Sequence, residues 1–457
     1  MNDAVLALRA PVGTATVVLV CLLSAPGSPL WAQDPKNQDV QDRLKKLEEQ
    51  NRELQKQVDA LQKQPPPAPR PEAPGEAPKF KVSGYVDLGF FAPSGSGVGF
   101  VPDTNGTQRA NYPTIPWILL GDPWTTAVNS RGEPASTKGS FALPFDAINS
   151  NGRSSFLVNE VNVDLWAGLT PNTSLVVSMD FLPRTGTGGT LGDSFEVDFA
   201  YFQWEPFDAV DMEVQVGKFA SAFGYEYRLE ESPARIGITP SLIGRYVSGH
   251  PIGIKVRNQW LDKHLTTNVA LINGSSNIET FPFGSEIDAN DAKTASGRVS
   301  YDFSYLVPGV TALSLGLSGE IGAQVRQPDN GVYQKQYGMD FQFEIADFEF
   351  ILEMIRGRAP GGGQTEAPSL DFRGGYVQAA YHVFEWMTPY VRGEYRKAVH
   401  LGTDFVYVMD EGRVTGGVRF DIARNIILKL EYVHNFERGP LPTIDNDVFA
   451  ASLVLKF

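Results

Sequence analysis

Along residues 79–457 the apolar side chains fall on every second position, and this period constrains the fold more than any other feature. Phe80, Val82, Val86, Leu88 and Phe90 alternate with Lys81, Ser83, Tyr85 and Asp87. Leu175, Val177, Met179 and Phe181 enclose Ser178 and Asp180, and Tyr337, Met339, Phe341, Phe343 and Ile345 enclose Asp340, Gln342 and Glu344. The same beat closes the chain at Phe449, Ala451, Leu453, Leu455 and Phe457. Such segments are strands with one apolar and one polar face. They run to ~10 residues, the length that crosses a bilayer at a tilt, and many end in Tyr, Trp or Phe, as a membrane girdle requires. A soluble sandwich would bury the apolar face against a second sheet. Two or three charges on the other face of a strand suit a water-filled lumen instead.

We expect an all-β fold: a transmembrane antiparallel β-barrel of about 16 strands, an even number as bacterial single-chain barrels have. The expected starts lie near 80, 154, 173, 194, 212, 251, 265, 295, 311, 333, 348, 372, 389, 412, 426 and 448. Short turns such as Thr170-Pro171-Asn172, Asp262-Lys263-His264 and Ala423-Arg424-Asn425 alternate with long polar stretches at 92–153, 220–250, 274–293, 359–371 and 436–447. Short periplasmic turns and long outer loops, with an even count, place both termini in the periplasm.

Composition excludes several alternatives. With 42% apolar residues and a mean hydropathy of −0.18, the chain lacks the long apolar runs of a helical membrane protein. An aromatic content of 11% argues against global disorder. The 39 Lys and Arg against 53 Asp and Glu give −14, the wrong sign for a nucleic-acid surface. That balance does not by itself set ion selectivity; the expected lumen faces, which carry more acids than bases, lead to an expectation of cation preference or near neutrality in any pore.

Upstream of the strands the chain reads as three further pieces. Residues 11–25 are apolar and uncharged, and Leu30-Trp31-Ala32 ends in a small residue, so 1–32 is expected to be a cleaved signal peptide. It contains Cys21, the only cysteine. Within 38–64, Leu44, Asn51 and Val58 take heptad position a while Val40, Leu47, Leu54 and Leu61 take d, a narrow seam that predicts a self-associating coiled coil with Asn51 setting its register. An amphipathic helix lying on the protein's own surface is the plainer alternative. The Pro-rich stretch 65–78 is a stiff linker to the barrel, 79–457.

Gly217-Lys218-Phe219, Phe223-Gly224 and Glu226, flanked by strands and followed at the end of the chain by Phe457, resemble bacterial outer-membrane porins. The nearest pattern is that of the phosphate-selective porin O/P family and related porin-like barrels, and the motif-level similarity covers about 217–257. The resemblance implies a bacterial outer-membrane protein with 16 strands, a periplasmic coiled coil and homotrimeric assembly. The family's lumenal Lys cluster has no counterpart here, and the expected lumen faces carry more acids than bases.

In general porins the third outer loop folds inward. Here that loop, 220–250, holds Tyr225, Glu226, Tyr227, Arg228, Glu230, Glu231, Arg235, Arg245, Tyr246 and His250, a mixed-sign aromatic set able to form a constriction with a transverse field. The plainer alternative is a solvated loop whose charges pair with one another. Strand phase makes Lys255, Arg257, Arg298, Arg392, Arg396, Arg413 and Arg419 candidate pore-lining cations, each of which could equally brace the wall by pairing with Glu394 or Asp421. Phe457 resembles the terminal signal read by the outer-membrane barrel assembly machinery. The five His lack metal-ligand spacing and no nucleophile elbow, P-loop or dinucleotide fingerprint occurs, so neither a metal, a cofactor nor an enzyme is expected. The function expected is a porin passing small hydrophilic solutes, in contact with membrane lipid and with no nucleic-acid partner. The coiled coil could also reach towards the cell wall. A tether or adhesin, using the coil and the long first loop with Trp117 and Trp124, is the alternative, and a barrel enzyme a third reading.

Overall fold

The computed structural model describes residues 79–93, 154–181, 195–207, 210–275, 291–323, 333–360, 369–401, 406–438 and 447–457. The expected leader (1–32), the expected coil (38–64) with Asn51, the expected linker (65–78) and 94–153 of the first loop lie outside the described residues.

Period two becomes sixteen strands. They are β1 Lys79–Pro93, β2 Ser155–Thr170, β3 Thr173–Phe181, β4 Phe195–Trp204, β5 Met212–Lys218, β6 Ile252–Trp260, β7 Leu265–Ile272 and β8 Thr294–Asp302. The second half comprises β9 Val310–Ala323, β10 Tyr333–Ile345, β11 Phe348–Pro360, β12 Ser369–Tyr381, β13 Met387–Leu401, β14 Val406–Ala423, β15 Ile426–Glu437 and β16 Val448–Lys456. Each strand pairs antiparallel with its sequence neighbours and β1 pairs with β16, so the sheet is a closed barrel without an edge. Most starts agree with the alternation. β14 starts earlier, at Val406 rather than near 412, because Val406-Tyr407-Val408-Met409 is a continuous apolar run that hides the period.

Register decides which face meets lipid. In β15, Leu430 and Tyr432 point outward while Lys429, Glu431 and Asn435 are buried on the inside. Exposed Trp204, Trp260, Tyr305, Tyr381 and Trp386 form a girdle at the short-turn end. The closing seam uses the last residue. Phe457 accepts from Gly84 N at 3.2 Å and donates to Gly84 O at 3.0 Å. A side chain at position 84 would meet the Asn162 carbonyl oxygen at 2.2 Å, which is why glycine stands there.

Candidate functional site

The stretch 219–251, between β5 and β6, is the third long-loop connection. It has two 3-10 turns, Glu226–Leu229 and Gly244–Tyr246, and few backbone partners of its own. Buried amides need acceptors, and here the barrel wall supplies them. Glu353 of β11 accepts from the Tyr225 and Glu226 amides at 2.7 and 3.0 Å. Glu394 of β13 accepts from Leu242 N at 2.7 Å, and Glu431 of β15 from Ile238 N at 2.7 Å and Thr239 N at 3.0 Å. Asp87 of β1 accepts from the Ser232 hydroxyl at 2.7 Å.

Wall cations bind the loop's carbonyls in turn. Arg392 Nη2 donates to Thr239 O at 2.7 Å and Pro240 O at 3.1 Å, and Arg413 Nη1 donates to Pro240 O at 3.1 Å. Arg419 donates to Pro233 O and Arg235 O, and Lys429 to Ser232 O and Gly237 O. Arg396 donates to the Tyr246 hydroxyl at 3.0 Å, and the Tyr246 ring stacks on Phe372 at 4.2 Å. Apolar anchors complete the dock: Phe219 and Ala222 pack with Ala270 and Ile272, while Ile238 joins Phe91, Val433, Val448 and Ala450. Gly224, at φ +79°, admits the turn, and a Cβ there would stand 2.7 Å from Glu353 Oε1. The acids and bases of β11 and β13–β15 therefore act as the loop's hydrogen-bonding frame. Their buried charges are held by pairs such as Arg392 Nε to Glu394 Oε1 at 2.8 Å.

The opposite side is built differently. A polar cavity of about 400 Å3 lies between the first loop turn and β5–β8, lined by Glu213, Tyr227, Arg228, Lys255, Arg257 and Ser300 among others. Arg228 sits 5.5 Å from the Tyr225 ring centre and 5.7 Å from that of Tyr227, in cation–π contact with both. Lys255 donates to Ala220 O at 2.8 Å and lies 4.9 Å from the Phe219 ring centre. Among the described residues, no carboxylate forms an ion pair with Arg228, Lys255 or Arg257. Arg298 nearby is neutralised by a two-pronged bond to Asp340 at 2.8 and 2.7 Å. The two loop tyrosines respond oppositely. Burial pushes the Tyr225 hydroxyl up to about 12. Burial also acts to raise Tyr227, but Arg228 and Lys255 outweigh it and hold that hydroxyl below its usual value.

The residues singled out from sequence divide accordingly. Tyr227, Arg228, Lys255 and Arg257 border the cavity, with Tyr225 beneath Arg228. Glu226, Glu230 and Arg235 are buried inside the dock. Glu226 accepts from Ser241 N at 2.7 Å, and burial, against the pull of Arg392 and Ser241, leaves its carboxyl above the usual range. Glu230 pairs with His250 at 2.9 Å, Arg235 donates to Glu230 O at 3.2 Å, and Glu231 accepts from the Tyr85 hydroxyl. Arg245 belongs to the second turn, and its side chain lies outside the described residues. Arg392, Arg396 and Arg413 face inward as strand phase predicts, but the loop covers them. Arg419 is half-buried and holds Asp421 at 2.9 Å. Glu353, Glu431 and Lys429, which do much of the docking, and Glu213 and Ser300 at the cavity escaped sequence reasoning. Their inward phase was visible, but what they would face was not.

The family model described as beta-barrel porin-2, OmpL-like, matches residues 147–457, more than half of the chain. The chain belongs to this porin family. A search of the curated proteins finds no matching relative. Among solved structures, the barrel is similar to OprB of Pseudomonas putida, with a TM-score of 0.51, 9% identity and coverage of 83% of this chain and 94% of that one. It is similar to OmpF of Salmonella typhi, solved with daunomycin, at a TM-score of 0.50 and 10% identity, covering 83% and 98% of the two chains. A third likeness is to the trimer form of OmpT of Vibrio cholerae, at a TM-score of 0.46, 11% identity and coverage of 84% and 100%. The porin is thus an outer-membrane barrel whose function is passive diffusion through a channel.

Proposed function

We propose that the docked loop forms the narrow part of this porin's diffusion path, and that the path favours small hydrophilic anions. One observation carries the reading: Arg228, Lys255 and Arg257 surround a polar cavity without a carboxylate ion-pair partner among the described residues. Unneutralised cations at a water-lined constriction concentrate counter-ions, whereas closed pairs do not. Glu213 is the single acid of that lining, so the local balance is positive although the chain as a whole carries −14. This reading departs from the cation preference or near neutrality expected from the acid-rich lumen faces. The same rim is where the porin comes nearest to the phosphate-selective porins it resembles around 217–257. Three cations without a lysine ladder support general anion preference rather than selectivity for phosphate.

Several finer readings stand as proposals beside it. Residues 1–32 are removed on export, 38–64 register a homotrimer on the periplasmic side through Asn51, and 65–78 space that coil from the barrel. Phe457 serves the assembly machinery as well as the seam it closes. A channel needs no catalytic centre, and we assign none. The tether or adhesin reading has no observation of comparable weight.

The test is the reversal potential of the purified porin in a planar bilayer under a potassium chloride gradient. The sign of chloride preference is expected, and the sign of potassium preference overturns the reading.

A further inference from the structure

The lipid-facing wall carries charge where a barrel wall ordinarily carries none. Lys335 of β10, Arg356 and Arg358 of β11, and Arg373 of β12 all point outward and are exposed. Register makes them neighbours: Lys335 stands opposite Arg358, and Arg356 opposite Arg373. All four lie towards the ends of their strands that meet the connections 324–332 and 361–368, away from the tight turn at Ala346-Asp347. That is the outer side by the alternation of short turns and long loops. Arg358 has Asp371 at 3.6 Å. Among the described residues, Lys335, Arg356 and Arg373 have no acidic partner.

Directly against Arg356 and Arg373 the wall is hollow. A groove of about 930 Å3 runs along β9–β13, floored by Gly375 and Gly393, walled by apolar side chains including Leu317, Met339, Met354 and Val377, and touched by Arg356 and Arg373 at its rim. The outward side chains Leu317, Met354 and Val377 are themselves exposed.

Cations on a lipid face are costly in hydrocarbon and tolerable at headgroup depth. Guanidinium groups there match phosphate oxygens in paired hydrogen bonds, and each such bond is charge-assisted. An apolar slot leading down from them matches acyl chain. The juxtaposition requires one amphiphile having both parts. We propose that this face is a built binding site for the phosphorylated glycolipid of the outer leaflet, lipid A, with a phosphate on Lys335, Arg356 and Arg373 and an acyl chain in the groove below.

Native mass spectrometry of the full, detergent-purified porin with added lipid A tests this. Wild-type protein retains the lipid. The pair R356Q and R373Q together weakens retention about tenfold, as does removal of the lipid's phosphates with the wild-type protein. G393L, which fills the groove and leaves every cation in place, also weakens it. K263Q, on a periplasmic turn, leaves it unchanged. Each variant is first shown to be folded by its gel shift on heating and by unchanged conductance. Equal retention by wild type and the double arginine variant overturns the proposal, as does equal retention of dephosphorylated lipid. A double variant that changes oligomeric state while keeping its lipid also overturns it, and gives the face to self-association.

Discussion

The two sides of the lumen use the same kinds of residue for opposite ends. On β11 and β13–β15 the inward acids and bases are consumed: Glu353, Glu394 and Glu431 accept loop amides, and Arg392, Arg413 and Lys429 donate to loop carbonyls. On the β5–β8 side, Lys255 and Arg257 of β6 and Arg228 of the first loop turn stay around a polar cavity with no carboxylate ion pair among the described residues. The difference lies in what covers each wall. A loop backbone offers both donors and acceptors, so it supplies buried side chains of both signs with hydrogen-bond partners. On the other side only the start of the loop and its first turn approach the wall, and the cations there border the cavity. Inward orientation alone therefore does not make a residue pore-lining.

The largest effect is expected where the dock is broken. R392A removes the guanidinium shared by Glu394, Thr239 O and Pro240 O. The buried Glu394 carboxylate then keeps only the more distant Arg413, at 3.7 Å, as its ion-pair partner, so the cost should approach but not reach the ~3–5 kcal/mol of a fully uncompensated buried charge. Single-channel conductance should rise as the loop loosens, and the thermal unfolding midpoint should fall. Unchanged values of both would mean that the stitching is dispensable. Charge reversal on the other side should do the converse. R228E combined with R257E, which spares the Lys255 bond to Ala220 O, is expected to turn the reversal potential towards cations while leaving the unfolding midpoint nearly where it was.

A smaller effect is expected from pH. Tyr227 is held below the ordinary tyrosine value of about 10 by Arg228 and Lys255, against its burial. Raising pH therefore creates a phenolate at the cavity before exposed tyrosines ionise, and anion preference should decline from below pH ~10. Y227F should flatten that decline, and an unaltered pH profile would remove Tyr227 from the rim.

The smallest effect belongs outside the lumen. Lys263 bonds Asp211 at 2.7 Å on an exposed turn, and that bond lowers the Asp211 carboxyl. A carboxyl lowered in the folded state stabilises above its unfolded value and loses that contribution as pH falls through its folded one. K263A should cost under ~1 kcal/mol at neutral pH, and the cost should vanish in acid. A loss comparable to that of R392A would make turn and dock equivalent, which the comparison denies.

Strands were legible because period two is written by the contrast between lipid and water, residue by residue, as in Tyr337 to Ile345 or Leu428 to Tyr432. The inward phase of Arg392, Arg396 and Arg413 was legible for the same reason. That a loop more than 140 residues earlier would lie over them was not, because the loop carries no period and its partners are backbone atoms, which every residue has. Glu431 and Glu213 look alike in sequence, each an acid between apolar neighbours, yet one accepts loop amides and the other borders the cavity. Only the path of residues 219–251 separates them.

That path can be tested with single cysteines, since Cys21 of the expected leader is the chain's only cysteine. Ser300 faces the cavity, and Thr415 faces inward but is buried beside Glu394 under the loop. With a charged thiosulfonate reagent applied to open channels, S300C should react and lower conductance, while T415C should stay silent until the protein is unfolded. Modification of T415C as fast as S300C would contradict a loop docked against β13–β15 and a path confined to the other side.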